Sequence, residues 1–84
     1  MTSERIYEKL LPIIQTYLPE DVSKEAVNRE SDLTRELNIN SAHLVDIVLD
    51  VEDQFDIEFA NEDMEQLRTL NDAIGIIMRK VGER

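Results

Sequence analysis

Cysteine and tryptophan are absent from this chain, glycine and proline occur only twice each, and nine basic residues stand against nineteen acidic ones. Without cysteine, neither a disulfide framework nor a zinc-thiolate site can supplement the core, and thiol usage says nothing about redox compartment. So little glycine and proline leaves few of the close-set turns that hairpins need, and the chain reads as helices joined by loops. No internal repeat or low-complexity tract appears, and no apolar run approaches the ~18 residues of a membrane span. The amino terminus lacks the basic-then-apolar layout of a secretion signal. The shortage of lysine and arginine leaves a formal charge of −10, which opposes binding to phosphate backbones and anionic lipid. Together these absences predict a soluble, cytoplasmic protein with no nucleic-acid partner and no membrane insertion.

The 84 residues suffice for one domain, 1–84, burying roughly 60% of the surface its unfolded chain would expose. Its charge is unevenly placed. No lysine or arginine lies between Arg35 and Arg68, while Asp46, Asp50, Glu52, Asp53, Asp56, Glu58, Glu62, Asp63 and Glu65 carry nine negative charges within that gap. Such a run is either a solvated helical face that keeps the protein soluble or a docking surface for basic partners.

Hydrophobic spacing places the helices. Ile6, Leu10, Ile13, Ile14 and Tyr17 share one helical stripe, which Thr2 or Ser3 can cap. Pro12 lies inside it, where loss of the bond to the Glu8 carbonyl predicts a kink or a division, and Pro19 is expected to close the helix. Residues 19–40 then read as a long connection anchored by Val22, Val27, Leu33 and Leu37. The second helix has the clearest pattern, with Leu44, Ile47, Val48, Val51 and Phe55 on one face, Asn40 as its N-cap and Ser41 at its first position. A short third helix is expected after Asn61, with Met64 and Leu67 inward. The last begins near Thr69, where Thr69 and Asp72 have capping-box spacing, and buries Leu70, Ile74, Ile77 and Val81. Gly75 inside it costs about 1 kcal/mol relative to alanine.

A serine at a helix start sits at the positive end of the helix dipole, which stabilises an anion by about 0.3–1 kcal/mol, so a phosphoester on Ser41 is electrostatically acceptable. Serine is also simply common in first turns. The stretch from Leu37 to Phe59, Leu-Asn-Ile-Asn-Ser-Ala-His-Leu-Val-Asp-Ile-Val-Leu-Asp-Val-Glu-Asp-Gln-Phe-Asp-Ile-Glu-Phe, resembles the prosthetic-group region of acyl carrier proteins. The family's leucine four residues before the modified serine is matched by Leu37. Its acidic residue five positions after the serine, its acidic pair at eleven and twelve and its phenylalanine at fourteen are matched by Asp46, Glu52, Asp53 and Phe55. Two positions depart from the pattern, with Asn40 where the family usually has aspartate and Ala42 where it has leucine or methionine. Asn40 keeps the capping function but removes a negative charge, and Ala42 removes apolar contact surface. These departures suggest a specialised carrier.

The resemblance implies an all-α, four-helix bundle with a long loop between helices 1 and 2 and a short helix 3. It implies a 4'-phosphopantetheine arm, taken from coenzyme A by Ser41 on a separate phosphopantetheinyl transferase and carrying acyl groups as thioesters for fatty-acid or specialised lipid and polyketide synthesis. Candidate acyl-pocket residues are Leu44, Ile47, Val48, Val51, Phe55, Leu70 and Ile74, which are equally ordinary core. Candidate partner-binding residues are Ala42, Val45, Asp46, Leu49, Asp50, Glu52 and Asp53, facing acyl-loading and acyl-processing enzymes with basic docking patches. With no large apolar stripe left exposed, a monomer is expected.

Other chemistries find less support. His43 is the only histidine and lies two residues from Ser41, so it neither faces that serine on a helix nor completes a metal site. The acidic stretch from Asp50 to Asp63 lacks the ligand register and central glycine of a calcium loop. Carboxylates are plentiful but no pocket can be argued around them, so no enzyme is expected. Two alternatives remain in the sequence: an aminoacyl or peptidyl carrier, and an acidic helical interaction domain whose serine is never modified.

Overall fold

The computed structural model describes residues 2–83. Four α-helices occur in it: α1 (Ser3–Thr16), α2 (Ser41–Phe55), α3 (Asn61–Gln66) and α4 (Leu70–Glu83), with a single 3₁₀ turn at Lys24–Ala26. Helix α1 packs against both α2 and α4. The radius of gyration of 11.8 Å is that of a well-packed chain of this length. Among the described residues there is no strand, and one isolated bridge joins Asp32 to Thr69.

Each helix begins where capping chemistry allows. The Thr2 hydroxyl accepts from the Arg5 amide, the Asn40 side chain accepts from the His43 amide at 2.9 Å, and Thr69 and Asp72 satisfy one another's amides at 3.2 and 3.0 Å. At α3 the box is one-sided: Asp63 accepts from the Ala60 amide at 2.8 Å, and alanine has nothing to return. Helix α2 ends on Asp56, whose left-handed conformation (φ 56°) lets the Ile57 amide reach back to the Glu52 carbonyl at 3.1 Å.

Of the expectations about α1, division at Pro12 is corrected and closure by Pro19 holds. Pro12 does not divide the helix, which runs unbroken from Ser3 to Thr16. Ile6, Leu10 and Ile14 are buried to within 1%, and that burial outweighs the single hydrogen bond the proline ring removes. Pro19 closes α1 as expected, acting through the residues ahead of it. The helix stops at Thr16, with Tyr17 as its C-cap donating to Ile14, because a residue preceding proline, here Leu18, is sterically barred from helical geometry.

The long connection is ordered by side chains and not by a ladder. Asp32 folds its carboxylate over the amides of Thr34 and Arg35 at 3.0 and 2.9 Å, the first of these causes being the Arg35 amide, and its pKa is lowered accordingly. The connection is stitched to the rest of the bundle by the Leu33 amide on the Arg68 carbonyl at 2.8 Å and the Asn71 amide on the Arg29 carbonyl at 2.9 Å. Arg29 also lies over the Tyr7 ring of α1, 5.1 Å from its centroid. Val27, Leu33 and Leu37 are buried as expected, Val22 only half, and Ile39 joins them.

Candidate functional site

Ser41 is the first residue of α2 and is exposed. Its position follows from the anchors before it. Leu37 and Ile39 are each 2% exposed, the Ile39 amide is held on the Leu33 carbonyl at 3.0 Å, and between them Asn38 turns the chain through the left-handed region (φ 55°). Buried residues at both ends of that turn deliver Asn40 and Ser41 to the surface. Asparagine tolerates the left-handed region better than most residues, which explains its presence at position 38.

At the helix start, Asn40 occupies the His43 amide with its side chain and the Leu44 amide with its carbonyl. The amides of Ser41 and Ala42 remain available, and the first turn carries no acidic residue. An anion on the Ser41 oxygen therefore meets two free donors and no like charge in that turn. Nothing nearby activates the hydroxyl: no described side chain hydrogen-bonds it, and the ring of His43 leans on Tyr17 instead, with centroids 5.8 Å apart. The site can receive a group but has no general base with which to take one.

The rest of α2 separates into three strips. Ile47, Val48, Val51 and Phe55 are buried, with Leu44 half-buried above them. Leu70 and Ile74 of α4 join that core. Val45 and Leu49 are 48% and 56% exposed, an apolar seam beside the exposed Asp46, Asp50 and Asp53. Leu49, Glu52 and Asp53 line an open groove of about 680 Å³ together with Asp56, Ile57, Glu58 and Lys80. That groove contains none of the seven residues expected to shelter an acyl chain.

Three charged groups have structural work that spacing alone does not reveal. Glu52 is half-buried and accepts from the Phe59 amide at 2.7 Å, tying down the turn after α2. Asp50 accepts from the Tyr17 hydroxyl at 2.7 Å; that bond is the main cause of a raised Tyr17 pKa, and the charge of Asp46 adds to it. Asp63 is buried, ion-paired with Arg79 and with Lys80, the latter at 2.7 Å. The Lys80 bond and the Ala60 amide hold its carboxyl down at about 2, below its ordinary 3.8. It is thus a bolt between α3 and α4 and leaves the acidic surface run. Only the nearby positive charges of α4 could have pointed to this, and their register against α3 is a tertiary fact.

No group of acidic or histidine side chains among the described residues is arranged to hold a metal ion, and no helix is long and apolar enough to cross a membrane. An exposed, unactivated serine at the head of an acidic helix in a small helical bundle is a group that can be acted upon and has no means of acting itself. The phosphopantetheine attachment site family model matches residues 8–77. The chain is 38% identical to the acyl carrier protein of Coprothermobacter proteolyticus, over 92% of each chain. It is 34% identical to that of Thermotoga maritima, over 94% of this chain and 95% of the relative. The solved acyl carrier protein of Enterococcus faecalis superposes with a TM-score of 0.76 at 29% identity, covering 95% of this chain and 99% of the other. The chain belongs to the acyl carrier protein family. It is a carrier of acyl groups on phosphopantetheine, not a catalyst, and its family works with phosphopantetheinyl transferases and acyl-processing enzymes.

Proposed function

We propose that Ser41 is the residue that bears the 4'-phosphopantetheine arm, within a single domain spanning residues 1–84. The observation that carries this is the exposed hydroxyl at the first position of α2, inside the matched segment. On the transferase, the Ser41 oxygen attacks the pantetheine-bearing phosphorus of coenzyme A, the pyrophosphate bond breaks, and adenosine 3',5'-bisphosphate leaves. The proton passes to a base of the transferase, since this chain supplies none. The arm, once bound, supplies a thiol that forms thioesters. Asn40 holds the helix start open for the phosphodiester, and the free Ser41 and Ala42 amides receive its charge.

Docking of basic partner patches is assigned to Ala42, Val45, Asp46, Leu49, Asp50, Glu52 and Asp53, in support of which the apolar seam and its flanking carboxylates share the exposed side of α2. Electrostatic steering by such a face raises association rates by roughly 10- to 1,000-fold at low salt. The bound acyl chain is assigned to the core bounded by Leu44, Ile47, Val48, Val51, Phe55, Leu70 and Ile74, which must repack to admit it. A monomer in the cytoplasm, serving fatty-acid or a specialised lipid or polyketide synthesis, completes the reading, with the specialised role resting on Asn40 and Ala42.

The test is intact mass after incubation with coenzyme A and a broad-specificity phosphopantetheinyl transferase. A gain of one phosphopantetheine group that is lost in Ser41→Ala is expected. No gain by the folded protein with several transferases would remove Ser41 from the role.

A further inference from the structure

Tyr17 is the C-cap of α1, yet its side chain belongs to α2. Its hydroxyl donates to Oδ2 of Asp50 at 2.7 Å, and its ring packs at a 51° tilt on His43, 5.8 Å between centroids. His43 and Asp50 are seven residues apart on α2, two turns along one face, with Asp46 between them. The phenol therefore spans two turns of the acidic face and is held at three places: the cap amide on Ile14, the imidazole ring and the carboxylate. No other described group bonds Asp50. Its Oδ2 accepts from the phenol, and the residue as a whole is exposed.

An arginine reads a carboxylate best with a planar fork that needs both oxygens, whereas a lysine ammonium is a point charge satisfied by one. We propose that Tyr17 is a specificity-determining residue of the docking face: by donating to Oδ2 of Asp50 it takes one of that oxygen's acceptor positions, so an arginine fork must compete with the phenol while a partner's lysine is satisfied by Oδ1 alone. The proposal rests on the reading of α2 as the docking face. Asp46 and Asp53 have no such intramolecular partner and stay open to either cation. The face thus carries a graded pattern of acceptors that counting charges along the sequence would treat as equal.

The experiment measures KM and kcat for the apo protein in phosphopantetheine transfer at low salt by a transferase that docks through an arginine and by the arginine-to-lysine variant of that enzyme. It compares the wild type with Tyr17→Phe, Asp50→Asn, the double variant and Asp46→Asn, after thermal melts confirm that each is folded. Phenylalanine keeps the ring on His43 and frees Oδ2. With the arginine enzyme Tyr17→Phe should lower KM about two- to five-fold, the scale of one exposed ion-pair contact, with kcat unchanged and no effect once Asp50 is asparagine; with the lysine enzyme KM should not move. A purely structural tyrosine would leave KM unchanged or raise it. With the arginine enzyme, KM unchanged or raised in Tyr17→Phe, while Asp46→Asn raises it, overturns the proposal; so does an equal fall in the Asp50→Asn background or with the lysine enzyme. If neither Asp46→Asn nor Asp50→Asn moves KM, the docking reading itself fails.

Discussion

At the scale of single residues, Asp63 shows how position decides what a charge does. By sequence it is one of nine carboxylates in an unbroken acidic run; by structure it is buried and bonded to Lys80, Arg79 and the Ala60 amide. Burying a carboxylate is unfavourable unless it is paired, and here three donors meet it. Arg79 is half exposed and its share is screened by solvent, so Lys80, 20% exposed, carries more. Asp63→Asn should destabilise the fold by about 1.5–3 kcal/mol at neutral pH. Because folding lowers this carboxyl from 3.8 to about 2, its contribution is full above pH 3.8 and disappears as pH falls through about 2. Urea unfolding of both proteins from pH 7 to pH 2 should show the gap narrowing across that window. A constant gap would mean that the pair's charge is not what stabilises.

Elements show the balance between local preference and packing. Gly75 is exposed in the middle of α4, and a methyl group there would meet nothing within 4 Å. Its backbone is ordinary helix, so its flexibility serves no turn. Gly75→Ala should raise stability by about 0.5–1 kcal/mol, read as a higher urea midpoint with an unchanged slope. Pro12 is the opposite case. Its local penalty predicts a break, and tertiary burial on both sides of it keeps α1 whole. The 19–40 connection had no regular period, yet its anchors Val27, Leu33 and Leu37 were legible as apolar residues spaced through polar ones. What was not legible was the turn built on Asp32, because an aspartate that folds over its own backbone looks, in a sequence, like any solvent-facing acid.

For the whole molecule, a net charge of −10 on 84 residues is a compression cost, since folding brings like charges together. Within the α2–α3 run, Asp63 is neutralised by two cations of α4, and a buried pair is weakly screened. Salt should therefore relieve repulsion without undoing that bolt. Raising sodium chloride from about 0.01 to 0.15 M shortens the screening length from about 30 to 8 Å. A gain near 1 kcal/mol, or about 4–8 °C in Tm for a domain of this size, is expected in thermal melts. A Tm independent of salt would show the acidic face to be balanced by its neighbours.

The sequence by itself determined the class of fold, the four helices, three of their caps and the serine that heads α2. Each of these depends on residues close together in the chain: a period of 3.6, a capping side chain three positions away, a family pattern read in one register. The tertiary structure alone decided that Pro12 would be tolerated, that Ile39 would be an anchor, that Asp63 would be a bolt and that Tyr17 would reach Asp50. Those outcomes depend on pairs 16 to 33 residues apart or on burial between elements. Spacing along a chain places a residue on a face of its own helix, but which other element that face meets is settled only when the elements pack.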